Sequence, residues 1–314
     1  MRSNGVTIKG VGSALPPEVI SNEEIELVAD TTDEWIRTNL GIKERRIIND
    51  DEDVSDLGVQ AALKALESAG LDKEDIDLIV VATSSPERIS PSTACTIHKK
   101  LGIKSNTPAF DINAVCAGFV FGMGIAAPMI SSGMYKNILL IATEAYSRIT
   151  DYKHRNCVFF GDGAGAVILG QSDKGWVTVE LNSNGGGTGD TGFNCSLDAK
   201  YETRPKEVWD QAMKVLPDSI RSILDKTGIS ASDIAMFIPH QASLRMLKLI
   251  AEEVGMPVER LKTVMHKYGN IAGASIPIAL DEAIRNNEIK KGDKLLLTAI
   301  GSGWSWGSIV VNYE

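Results

Sequence analysis

A chain of 314 residues is long enough for one large domain or two ordinary ones, and 43% hydrophobic with 23% charged residues describe a folded α/β-type protein rather than a disordered or fibrous one. The net charge of −9, with no basic run to offset it, argues against nucleic acid or an anionic membrane as the main partner. Four cysteines (Cys95, Cys116, Cys157, Cys195) form no Cys-x-x-Cys pair and the opening residues lack a signal-type apolar stretch, so a reducing cytoplasm is the expected home.

Early in the chain, "VSDLGVQAALKALESAG" (residues 54–70) predicts a helix with Asp56 near its start and Gly70 as its stop. The runs "IDLIVVAT" (76–83), "NILLIAT" (137–143) and "KLLLTAI" (294–300) predict strands buried on both faces. Strand and helix alternate, which sets the class as α/β. From Ile112 to Tyr135 no residue is charged, a length that would suit a membrane span. Its glycines, Asn113, Pro128, Ser131 and Ser132 dilute it, and the spacing predicts instead a central buried helix headed by Cys116. A buried cysteine is ordinarily a small hydrophobe; at a helix N-terminus it is a candidate thiolate. The segment "FGDGAGAVILG" (160–170) imitates a dinucleotide fingerprint without the strand–turn–helix context, so its glycines read as structural.

The halves resemble each other. "LESAGLDKEDIDLIVVAT" aligns with "LDKTGISASDIAMFIPHQ", pairing Gly70 with Gly228, Asp75 with Asp233 and Ile76 with Ile234. "AGFVFGMGIAAPMI" after Cys116 aligns with "AGASIPIALDEAI" after Ile271, and "KNILLIATEAYS" with "DKLLLTAIGSGWS". Such self-similarity signals a duplicated unit, with halves expected at 1–172 and 173–314. A pseudo-two-fold then brings Cys116 of one half toward His240 and Asn270 of the other. Alone, a His after a strand or an Asn in a Gly-Asn turn is ordinary structure. His98, His154 and His266 lack a comparable setting. The Gly-rich loop "AIGSGWSWGS" (299–308) could turn backbone N–H groups toward a ligand.

In order, "TTDEWIRTNLGIKERR", "SPSTACTIHKKLGI", "FDINAVCAGF", "FGDGAGAV", "PHQASLRM", "YGNIAGASIP" and "GSGWSWGS" resemble the thiolase superfamily, and within it the β-ketoacyl-acyl carrier protein synthase III family. The resemblance implies a layered αβαβα thiolase-like fold of two pseudo-symmetric halves and a catalytic set of Cys116, His240 and Asn270. It implies backbone oxyanion donors at Cys116 and Ser302, and substrate contacts at Trp35, Arg37, Ser90, Arg155, Phe160 and Gly303. The implied reaction is decarboxylative Claisen condensation of an acyl-CoA primer with a malonyl thioester (malonyl-acyl carrier protein), to start fatty-acid synthesis. It needs no cofactor or metal, and the expected assembly is a homodimer. A specialised synthase of polyketide or secondary metabolism, and more remotely a Cys–His–Asn peptidase or amidase, share parts of this pattern.

The chemistry calls for these residue types. A cysteine holds the acyl group as an exchangeable thioester, while backbone N–H groups stabilise the oxyanion by ~3–4 kcal/mol per donor. Loss of CO2 from the malonyl unit leaves an enolate, for which a His240 ring N–H and the Asn270 amide are the expected donors. The C-terminal loop, Gly301-Ser302-Gly303, lacks the second cysteine a reversible thiolase would use as base.

Several positions depart from the usual pattern. Asn39 stands four residues after Trp35 where an arginine is typical, with Arg37 near but out of register, and Arg155 lies one place from another typical arginine position. Pro205 falls near a typical glycine, Glu252 and Glu253 replace a basic pair, and Ser90 replaces a bulky aromatic. These changes imply a roomier primer pocket and weaker docking of an acidic carrier protein.

Overall fold

The computed structural model describes residues 1–185, 192–196 and 199–314. Its strands in chain order are β1 (Arg2–Ala14), β2 (Glu18–Ser21), β3 (Glu44–Ile47), β4 (Leu78–Ala82), β5 (Ala109–Ile112), β6 (Asn137–Ala145), β7 (Asp162–Ser183), β8 (Phe193–Asn194), β9 (Glu202–Thr203), β10 (Met236–Pro239), β11 (Lys294–Gly301) and β12 (Ser305–Asn312). The main sheet runs β10-β11-β12-β7-β6-β4-β5, with β1 also paired to β7. Strand β7 joins the halves: Asp162 to Gly170 pairs with β6, and Trp176 to Ser183 pairs with β12. The expected boundary at residues 172/173 lies inside this strand, where the pairing register with β1 shifts between Gln171 and Trp176.

The apolar runs are continuous because alternate side chains face two different helical layers. In β6, Leu139 and Ile141 pack with the outer helix Val54–Ala69, while Ile138, Leu140 and Ala142 pack with the central helix Gly118–Ser131. In β11, Leu295, Leu297 and Ala299 face the same central layer, and Leu296 and Ile300 face the outer helices Pro205–Thr227 and Leu244–Glu253. Five layers result, helices alternating with strands. The second central helix, Ser275–Arg285, is the partner of Gly118–Ser131. Among the described residues no helix is long and apolar enough to cross a membrane.

Duplication extends to local detail. Gly70 and Gly228 end equivalent helices in the left-handed region, at φ 65° and 67°. Each is followed by a short 3-10 turn in which an acid reaches back to a backbone N–H: Asp75 to Asp72 at 2.9 Å and Asp233 to Ser230 at 3.2 Å. Ile79 pairs with Ala109, and its counterpart Phe237 bridges Leu261 in parallel, a vestige of β5 in the second half.

The structure moves one sequence alignment by two residues. Val115 (φ 49°) and Ala272 (φ 39°) occupy equivalent places at the start of 3-10 turns Val115–Ala117 and Ala272–Ala274, each leading into a central helix. Asn113 Oδ1 accepts from Val115 N at 3.1 Å, and Asn270 Oδ1 accepts from Ala272 N at 2.8 Å. Cys116 is therefore the counterpart of Gly273 rather than of Ile271. It also precedes the α-helix instead of heading it, because the tight turn at Val115 intervenes.

The glycines of residues 161–165 are structural. A Cβ at Gly161 would lie 2.4 Å from the Tyr268 carbonyl, and one at Gly165 would lie 2.7 Å from Pro277 Cβ. Between them buried Asp162 accepts from Ile48 N and Ser147 N, both at 2.9 Å, tying three segments together.

Candidate active site

Cys116, His240 and Asn270 line one cavity of about 650 Å³, a volume suited to a small-molecule site. Cys116 comes from the turn after β5, His240 from the end of β10, and Asn270 from the loop before the 3-10 turn Ala272–Ala274. The two turns pack against each other where the halves meet. Gly301 makes that approach possible: a Cβ there would lie 2.3 Å from Ala114 O and 3.1 Å from Cys116 N. The next residue, Ser302, also lines the cavity, its hydroxyl held by Phe193 O at 2.6 Å.

Hydrogen bonding fixes what His240 and Asn270 can offer. His240 Nδ1 lies 3.1 Å from the carbonyl of Ala272, so Nδ1 carries the proton and Nε2 is left with a lone pair. Burial pulls this imidazole down to about 4, keeping it neutral. Asn270 spends Oδ1 on Ala272 N, which leaves its NH2 as the donor. Its backbone is clamped by Phe159 O at 2.9 Å and Gly161 N at 3.1 Å. Burial, and then the nearby Glu144 carboxylate, push the Cys116 thiol well above its ordinary value. Burial thus favours the neutral forms of both the thiol and the imidazole that share this cavity. Ionisation needs a proton acceptor, because the turn alone does not supply enough field.

Comparison with known proteins supplies the context. Residues 110–185 match the family model described as 3-oxoacyl-[acyl-carrier-protein (ACP)] synthase III, and residues 224–313 match the model for its C-terminal part. The chain is 40% identical over 311 residues to β-ketoacyl-[acyl-carrier-protein] synthase III 1 of Bacillus anthracis, covering 98% of this chain and 99% of that one. A synthase III of Alkalilimnicola ehrlichii is 41% identical over 318 residues, covering 98% of each. The crystal structure of 3-oxoacyl-[acyl-carrier-protein] synthase III from Aquifex aeolicus superposes with a TM-score of 0.95 at 38% identity, over 98% of this chain and 100% of that one. The priming β-ketosynthase of the R1128 polyketide pathway gives 0.93 at 32% identity, over 98% and 96%. The chain belongs to the β-ketoacyl-acyl carrier protein synthase III family.

In this synthase the other residues singled out from sequence divide into two groups. Trp35, Arg155 and Phe160 line the cavity, and the Arg155 guanidinium lies 4.5 Å from the centre of the Trp35 ring. Arg37, Ser90 and Gly303 do not line it. Arg37 is bound to Asp33 at 2.6 Å and reaches Glu23 at 3.9 Å, beside a separate shallow cleft with Leu244, Arg245 and Lys248. Ser90 is exposed on the loop after β4, away from its own chain's cavity. Gly303 lies between two lining residues, Ser302 and Trp304, but does not itself face the space. Asn39, at the typical arginine position, does line the mouth, with its amide nitrogen bonded to Trp35 O at 2.9 Å.

Sequence reasoning picked Phe160 but missed Phe193 in the cavity wall and the buried groups behind it. Tyr146, Phe160, Phe193 and Tyr201 pack as one cluster against Cys116; Tyr146 and Phe160 are 4.5 Å apart between ring centres, and Phe193 stacks on Tyr201 at 5.3 Å. Below lies Glu144, fully buried at the end of β6. The signal available was "TEAYS" at the end of a wholly apolar strand, where an acid is unexpected. Among the described residues no cluster of His, Cys, Asp and Glu could hold a metal ion.

Proposed function

We propose that Cys116 takes the acyl group from an acyl-CoA and that His240 and Asn270 then serve decarboxylative condensation with a malonyl thioester, most directly malonyl-acyl carrier protein, to open fatty-acid synthesis. The observation that carries this reading is the shared cavity, into which one half delivers Cys116 and the other delivers a neutral His240 and a donor-only Asn270 amide. In acylation, the Cys116 proton passes to His240 Nε2 as sulfur attacks the thioester carbonyl, and His240 returns it to the departing coenzyme A sulfur. Backbone N–H groups at Cys116 and Ser302 receive the oxyanion. In the second half-reaction the C–C bond to the malonyl carboxylate breaks, CO2 leaves, and the electron pair delocalises onto the thioester oxygen. Asn270 donates to that oxygen in every protonation state; His240 joins it only while Nε2 carries a proton. The enolate carbon attacks the acyl-cysteine and releases the Cys116 thiolate.

Trp35 and Arg155 at the mouth suit the adenine and phosphates of coenzyme A, one by stacking and one by charge. The family resemblance implies a dimer in which the exposed loop carrying Ile89 and Ser90 reaches the partner. A role in priming polyketide synthesis is the second reading, favoured by the likeness to the R1128 priming ketosynthase. Cytoplasmic localisation follows from the proposed substrates. The test is intact-mass analysis after incubation with a panel of acyl-CoAs: wild type gains one acyl mass mapped to Cys116, Cys116→Ala gains none, and the variants at Cys95, Cys157 and Cys195 acylate normally. An acyl group on another residue would overturn the assignment.

A further inference from the structure

Glu144 is a buried carboxylate that the mechanism above does not use. Its oxygens accept from Ser84 N at 3.1 and 3.2 Å, Ser84 Oγ at 3.0 Å and Ser85 Oγ at 2.6 Å, and also from the N–H of Gly273. Among the described residues no ion pair involves it. Burial pushes this carboxyl up to about 7, and an acid without a cation is costly to bury, so mere packing does not account for it.

The pseudo-two-fold shows what stands there otherwise. The pairing of Leu78 with Ile138 and of Met236 with Leu295 makes Gly301 the counterpart of Glu144. At the end of β11, Gly301 meets the Cys116 turn by backbone contact. At the end of β6, the Gly273 turn is met by a side chain: a Cβ at Gly273 would lie 3.4 Å from Glu144 Oε1 and 3.2 Å from Val115 O. Each strand end thus supports the turn of the opposite half. That turn carries the Ala272 carbonyl that orients His240 and the Ala272 N–H that orients Asn270. The titratable groups facing Glu144 are Cys116, from the turn after β5, and Tyr146, which it meets through Ser84 Oγ (2.8 Å from the phenol oxygen); His240 lies beyond the Ala272 carbonyl.

We propose that Glu144 is a positioning residue of the condensing site, holding the Gly273 turn and thereby His240 and Asn270 against the Cys116 turn. Because Gly273 packs between the Glu144 carboxyl and the Val115 carbonyl, the carboxylate lies close behind the Cys116 turn, and its charge opposes ionisation of Cys116. The proposal rests on the roles given above to Cys116, His240 and Asn270. It predicts separable effects for two substitutions. Glu144→Gln removes the charge and sets an NH2 against backbone N–H donors. It should move the midpoint of the pH profile for iodoacetamide alkylation, followed at the Cys116 peptide, down by about half a unit or more. It should also cut kcat for CO2 release by roughly tenfold while the acyl-CoA KM changes by less than about threefold. Glu144→Asp keeps the charge but withdraws it from Gly273, so the alkylation midpoint returns toward wild type and CO2 release stays low. A wild-type midpoint or wild-type CO2 release in folded Glu144→Gln overturns the proposal. Should that variant not fold, normal CO2 release by Glu144→Asp overturns it instead, and depressed release supports it. Acylation of a residue other than Cys116 in the wild-type protein would mark failure of the underlying site reading, independently of Glu144.

Discussion

The nitrogen that His240 presents to the cavity decides which steps it can serve. Sequence suggested a ring N–H for the enolate; the Ala272 carbonyl takes that N–H and leaves Nε2 as an acceptor. His240→Ala should therefore slow both acylation of Cys116 and CO2 release, whereas Asn270→Ala should acylate normally and lose most CO2 release. Rapid-quench measurement of the two half-reactions distinguishes them; equal loss in both half-reactions for Asn270→Ala contradicts the assignment. The same ring carries a pH signature. Its folded value of about 4 is depressed from the ordinary 6.5, so between those values the unfolded chain binds the proton and the folded one does not. The stability contribution is present above pH 6.5 and is lost as pH falls through about 4. His240→Gln should flatten that loss, which runs at up to ~1.4 kcal/mol per pH unit, in denaturation curves taken from pH 6.5 to 4. That Cys116, His240 and Asn270 would meet in one place was legible in sequence, because each stands in a motif at a strand or turn end. The tautomer was not, because it depends on where the backbone carbonyl two residues beyond Asn270 points.

At the scale of elements, duplication was legible and its register was not. Gly70 and Gly228 aligned correctly because each must stop a helix in the left-handed region. The turns at Cys116 and Gly273 were misaligned because "AG" recurs in both and outweighed the Asn-x-x pattern that matches in space. Glu144 and Tyr146 stayed hidden for a related reason: a strand end reads as apolar core until the opposite half is seen to lie over it. Gly301 tests this crosswise support. Gly301→Ala places a Cβ into the Ala114 carbonyl and should separate the two turns, costing ~1–3 kcal/mol of stability and most of the acylation rate. Urea midpoints and burst-phase acylation measure both; an active, equally stable variant would show that the turns do not depend on this contact.

The whole molecule adds the questions of primer and carrier. Ser90 lies outside its own chain's cavity, so in the proposed dimer any effect on primer size crosses the interface. Ser90→Phe should then shift preference toward short primers by a factor within ~1–3 kcal/mol, and acyl-CoA competition assays read the shift; strict acetyl preference in the wild-type protein would contradict a roomy pocket. Of the two acids on the face proposed for carrier docking, both exposed, Glu253 is bound to Arg221 at 3.0 Å, which leaves Glu252 as the one outside any ion pair among the described residues. Glu252→Lys should raise kcat/KM for malonyl-acyl carrier protein and leave malonyl-CoA turnover unchanged, an effect that salt weakens. The proposed function rests on one cavity joining Cys116 from the first half to His240 and Asn270 from the second. Its most direct test is a single-turnover chase of isolated acyl-enzyme with a malonyl thioester, counting CO2 against acyl groups lost from Cys116. The account predicts one CO2 per acyl group transferred in the wild type and a stable acyl-enzyme with little CO2 in Asn270→Ala. Loss of the acyl group without CO2, or rapid CO2 release by Asn270→Ala, would contradict it.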